Sequence, residues 1–168
     1  MADYPSLSIQ SARGFIDELF KPALHDFIKD NPLSPRQALA AIILGYHVYD
    51  WVFEQIWLEK RNGVRHKAYG MTQAERKRAK AQFRRWLADP NNPDRCAILN
   101  TVGDIANGTK HSVSLVVTEV SVWGPQFSRQ FGPRWVMINL PNAPAVRVDE
   151  LLQQLEAFWD WFVMKEGL

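Results

Sequence analysis

The sequence predicts a mainly α-helical chain: a four-helix bundle, then a β-hairpin, then a closing helix. Three observations carry this. Apolar residues recur at helical spacing over most of the first 107 positions. Turn and capping residues cut that stretch into four pieces. After His111 the period changes to that of a strand, and it returns to helical near the C-terminus. A length of 168 residues suits one domain with a substantial core. The expected organisation is a helical unit over 8–111, a hairpin over 112–141 and a closing helix over 148–166.

The first helix is expected from Ser8 to Lys29, where Ile9, Phe15, Ile16, Leu19, Phe20, Leu24, Phe27 and Ile28 keep an approximate helical period. Pro22 should kink or split it, and Asn31-Pro32 should stop it. Ser34-Pro35 restarts the chain as N-cap and first helical residue. The second helix runs to Arg61, before Asn62-Gly63, and its apolar residues cover most of its circumference, which places it centrally. Thr72-Gln73-Ala74-Glu75 is a capping box that starts the third helix. The fourth helix is expected from Pro93 to Asn107, with Gly108 as its terminator. Val113–Trp123 and Arg134–Leu140 read as antiparallel strands, with a bulge where the apolar phase switches near Val117–Glu119. Asp149-Glu150 then open the last helix.

The longest apolar run, Ala38–Leu44, is too short to span a bilayer, so no membrane partner is expected. The single cysteine, Cys96, excludes an internal disulfide. With no apolar run in the first residues, the expectation is a cytoplasmic protein.

The net charge of +2 conceals an asymmetry. Half of the 20 Lys and Arg residues fall between Lys60 and Arg85, against one acid, Glu75. Like charges four apart at Arg76, Lys80 and Arg84 oppose helix formation slightly. Such a face suits a polyanion, and RNA is the expected partner of Arg76, Lys77, Lys80, Arg84 and Arg85, with Tyr69 and Trp86 as stacking surfaces. The bland alternative is a solvated basic face.

Two polar stripes interrupt otherwise apolar helices. Asn100, Asp104 and Asn107 share one face of the fourth helix, running into Lys110 and His111. His47, Asp50 and Glu54 share one face of the second. Packed together, they would form an inter-helix polar pocket in which a carboxylate-held His does acid–base work; apart, they are a structural network and a solvated stripe. In the last helical turn, Asp104 would also face the unfavourable end of the helix dipole. The paired Glu-x-x-His pattern of di-iron bundles is absent, as are phosphate-loop, Gly-x-Ser-x-Gly, paired Cys-x-x-Cys and His-Glu-x-x-His motifs. No metal and no cofactor are expected.

The segment Ala106-Asn107-Gly108-Thr109-Lys110-His111 resembles the Arg-Asn-x-x-x-His signature of HEPN-domain proteins, and the four preceding helices resemble their layout. Asn107 and His111 match that signature, and Ala106 stands at its Arg. The resemblance implies a HEPN-like bundle, a homodimer and the setting of a prokaryotic defence or toxin–antitoxin system, with an operon-encoded protein as a further partner. With the arginine missing, it implies a catalytically degenerate protein that binds RNA or nucleoprotein. The enzyme alternative is a metal-independent ribonuclease using His111, Asn107, Lys110 and Asp104. A third reading is a structural or interaction protein. Phe158, Trp159, Trp161 and Phe162 span a wide arc of the last helix, a candidate dimer face.

Overall fold

The structure is a computed structural model. It describes residues 9–30, 32–61, 71–87, 94–110, 116–121, 134–139 and 144–167, with only the backbone for 59–61, 94–96, 108–110, 116–121, 134 and 135. The described residues are mainly helical, with a small antiparallel sheet.

Helix α1 is a continuous run built from Ala12–Phe15, Ile16–Phe20, Lys21–His25 and Asp26–Asp30. Ser11 caps it, its hydroxyl accepting from the Gly14 amide at 2.9 Å. The second and fourth segments have wide turns with i→i+5 hydrogen bonds, such as Lys21 N–H to the Ile16 carbonyl. Pro22 follows that wide turn at the start of a fresh α-helical segment, where a missing N–H is tolerated. The helix therefore continues through the proline and is not split in two.

Helix α2 comprises Pro35–Val52 and a wide-turned continuation, Phe53–Arg61. The Ser34 cap forms as expected. Ala38, Ala41, Ile42, Gly45, Val48, Tyr49 and Val52 are buried, so α2 is the central helix. Helix α3, Gln73–Leu87, starts on the predicted capping box: Thr72 N donates to Glu75 Oε2 at 2.8 Å, and Glu75 N donates to Thr72 Oγ1 at 3.3 Å.

Helix α4 is Asp94–Lys110. It runs through Asn107 and Gly108, correcting the expected stop there. An interior Gly costs a helix about 1 kcal/mol but does not end it without the left-handed turn. Strands β1 (Val116–Ser121) and β2 (Arg134–Asn139) pair antiparallel, one residue to one, from Val116↔Asn139 to Ser121↔Arg134. That unbroken register holds no extra residue, so the expected bulge is absent. A short strand β3, Val146–Arg147, adds to β2 and was not anticipated. Helix α5, Val148–Glu166, closes the fold.

The core sits where α1, α4 and α5 pack on α2, with Val136 and Ile138 of β2 buried beside α5. The helices cross closely at Gly45. A Cβ there would lie 2.5 Å from Leu155 Cδ2 and 2.8 Å from Phe20 Cε2, so only Gly permits this spacing. The Gly45 carbonyl accepts a 3.1 Å hydrogen bond from the fully buried Trp159 indole, satisfying the polar end of the bulkiest core residue. Gln55 ties α2 to the start of α1, accepting from Ala12 N and donating to the Gln10 carbonyl, each at 2.7 Å.

The aromatic arc of α5 is used within the chain. Phe158, Trp159 and Phe162 are buried, and Trp161 is half-buried under Lys165, whose Nζ lies 4.8 Å from its ring centre. These residues therefore do not form the exposed aromatic face expected of a dimer interface. Among the described residues no helix is long and apolar enough to cross a membrane.

Candidate functional site

The His47–Glu54 stripe of α2 meets α3, not α4. Lys80 Nζ lies 2.7 Å from Asp50 Oδ1, and the Arg76 guanidinium pairs with Glu54. His47 Nδ1 lies 3.5 Å from Asp50 Oδ2. The cations also rest on aromatic faces. Lys80 is 5.6 Å from the Phe53 ring centre and 5.8 Å from that of Tyr49; Arg76 is 5.9 Å from that of Phe53. Beneath them, Phe83 is fully buried against Tyr49, Phe53, Trp57 and Trp86. Trp86 packs into this cluster and edge-on against Phe162, so it is not an open stacking surface. Tyr69 lies outside the described residues.

The two helices thus run antiparallel with matched four-residue steps, Glu54 to Arg76 and Asp50 to Lys80. One turn further, the acids end. Tyr46 and Tyr49 stand on α2 where the next carboxylate would be, and they face Arg84. This explains the like charges four apart on α3: two are matched across the joint, and the third is not matched by an acid of that ladder.

Arg84 stands at the junction of two cavities. One, of ≈ 340 Å³, is bounded by Tyr46 and Tyr49 of α2, by Arg84, Arg85 and Leu87 of α3, and by Leu99 and Asn100 of α4. The other, of ≈ 470 Å³, lies along α3 over Gln73, Arg76, Lys77, Lys80, Ala81 and Arg84. The tyrosine rings are nearly parallel, 3° apart, with centroids 5.9 Å apart. Tyr49 is 3 % exposed, and because the neighbouring Arg84 can only donate, its O–H has no acceptor among the described residues. Burial pushes its pKa up to about 12, and the nearby Arg84 offsets part of that rise. At neutral pH it is therefore a protonated donor. The adjacent tyrosines also raise the pKa of Arg84 against the effect of its own partial burial, so that cation is permanent.

The expected polar pocket is rearranged accordingly. Asp50 and Glu54 belong to the α2–α3 joint, where Lys80 and Arg76 give them cationic partners that the amides of α4 could not, and His47 stays beside Asp50 on α2. Asn100 reaches the rim of the smaller cavity instead. Asp104 and Asn107 are exposed. Since α4 continues to Lys110, Asp104 is not in its last turn, and the dipole conflict inferred for it does not arise. The Lys110 side chain and His111 lie outside the described residues. Ala106 is fully buried, facing the core. Among the described residues no group of three His, Cys, Asp or Glu is placed to hold a metal ion.

Tyr46, Tyr49, Leu87 and Leu99 were not expected at a site; periodicity places them in a core. Their signal was tertiary: an acidic ladder that stops one step before the basic ladder it matches. In comparisons with known proteins, no family model matches this chain, and no curated protein or solved structure is significantly similar to it.

Proposed function

We propose that this protein is a non-catalytic RNA-binding protein whose contact surface is the exposed face of α3 around Lys77, Arg84 and Arg85. The observation that carries the reading is Arg84. It continues the ladder made by Arg76 and Lys80, but it faces two tyrosines where they face carboxylates. A cation with no acid opposite it among the described residues, beside Arg85 and an aromatic wall, suits a strand that presents phosphates and bases together. Lys77 and Arg85 are exposed on the same helix, while Arg76 and Lys80 have the joint as their first task.

The ribonuclease alternative has to draw its cation from Lys110, a point charge without the planar fork of arginine. A phosphorane transition state needs positive charge at the reacting phosphate, and the position where the HEPN resemblance calls for arginine is a core alanine.

The test is equilibrium binding of a fluorescent single-stranded RNA by fluorescence anisotropy. The triple substitution Lys77→Gln, Arg84→Gln and Arg85→Gln should weaken binding at least tenfold while leaving helicity unchanged. Unaltered affinity would reduce the basic face to solvated surface.

A further inference from the structure

The smaller cavity contains more than a polyanion track requires. A backbone-tracking groove needs spaced cations. This one adds the Tyr49 hydroxyl, which is buried; the Arg84 guanidinium beside it can only donate to its oxygen, so its O–H has no acceptor among the described residues. A buried donor without an acceptor costs about 1–3 kcal/mol, and a ligand oxygen would recover it. The donor lies beside Arg84, with Arg85 lining the same cavity. Two arginines and a phenol that stays protonated thus line one cavity of ≈ 340 Å³. That volume is near the lower end for small-molecule sites.

We propose that this cavity binds a nucleotide carrying a phosphomonoester, with the phosphate held by Arg84, Arg85 and the Tyr49 hydroxyl and the base against Tyr46. The inference rests on the RNA-binding reading for its macromolecular source, a strand end; a free mononucleotide presents the same chemistry.

Two features select a monoester over an internal diester. A monoester carries about −1.5 to −2 charge at pH 7 and three acceptor oxygens, against a single charge on a diester. Arginine forks match such an oxygen set, and the phenol supplies one further donor. Leu87 and Leu99, both buried, line the cavity with Tyr49. A phosphate that reaches the buried hydroxyl therefore enters as an end.

The experiment compares three single-stranded RNAs of one sequence by anisotropy, with a 5′-phosphate, with a 3′-phosphate, or with hydroxyls at both ends. A parallel arm titrates adenosine 5′-monophosphate against adenosine. One phosphorylated end should bind about tenfold tighter than the hydroxyl-ended strand, as expected of a charge-assisted hydrogen-bond set. Tyr49→Phe, which keeps the ring, should cut that ratio severalfold, the two arginines keeping the remainder. Lys77→Gln, outside the cavity, should weaken all three RNAs and keep the ratio.

If adenosine monophosphate binds and adenosine does not, while no RNA binds, the cavity assignment stands with a free nucleotide as ligand and the RNA reading falls. If all RNAs bind equally and the mononucleotide does not bind, the cavity assignment falls and the RNA reading stands. A ratio undiminished by Tyr49→Phe in a variant with wild-type melting behaviour also overturns the assignment.

Discussion

The Lys80 ammonium lies 2.7 Å from the Asp50 carboxylate, across the joint between α2 and α3. With Arg76 on Glu54, this pairing divides the basic face in two: cations that hold the helix in place and cations left for a partner. Both pairs are about one-third exposed, so each contributes only about 0.5 kcal/mol to stability. Their larger effect is to mask charge.

Removing the mask should strengthen RNA binding. Asp50→Asn with Glu54→Gln leaves Arg76 and Lys80 without opposing charge on the surface next to Arg84. Affinity should rise severalfold at low salt, with little change in melting temperature. Weaker binding in a folded variant would mean that the pairs position the surface and do not mask it.

The Gly45 crossing should tolerate no side chain. Gly45→Ala places a methyl into Leu155 and Phe20, both fully buried and unable to swing aside. The strain should exceed the helix-propensity gain, for a net loss of about 2 kcal/mol by chemical denaturation. A stabilised variant would show that the crossing relaxes.

Restoring the arginine of the HEPN-like signature should fail structurally. Ala106→Arg drives a guanidinium into a fully buried position, which costs several kcal/mol without a partner. Thermal melting should show a strongly destabilised or unfolded protein, with no gain in RNA cleavage. A folded variant with new cleavage activity would contradict the burial of this position.

Alkaline pH should destabilise the protein through two groups. Tyr49 holds its proton up to about pH 12 when folded, whereas the unfolded phenol releases it near pH 10. Between these values the unfolded state binds fewer protons, so stability falls as pH rises. Lys21, whose pKa is raised by its hydrogen bond to Asp160, adds a loss in the same direction above its unfolded value near 10.5. Tyr49→Phe should show a shallower decline in denaturant midpoint between pH 10 and 12. An identical decline would mean that Tyr49 ionises freely in the folded state.

Local signals were legible in the sequence. The Ser34 cap, the Thr72–Glu75 box and the long apolar α2 appear where spacing placed them, because each depends on residues within a few positions. Gly108 misled because a glycine in a helix and a glycine ending one look alike until the backbone turns left-handed. The two residues of β3 are too few to show an alternation. The site was misassembled for a tertiary reason. A helix reveals which residues share a face but not which helix will cover it, so spacing alone allows His47, Asp50 and Glu54 to meet Asn100, Asp104 and Asn107 as readily as α3. The four-residue match between Asp50/Glu54 and Arg76/Lys80 was present in the sequence, and with an antiparallel arrangement it leads to Tyr46 and Arg84.

The most direct test of the account is the salt dependence of RNA binding by the wild type and by the Lys77→Gln, Arg84→Gln, Arg85→Gln variant. For a single strand, each phosphate neutralised contributes about 0.7 to the slope of log affinity against log salt. The variant's slope should be shallower by about two, from three cations removed. Equal slopes in two equally folded proteins would contradict the account.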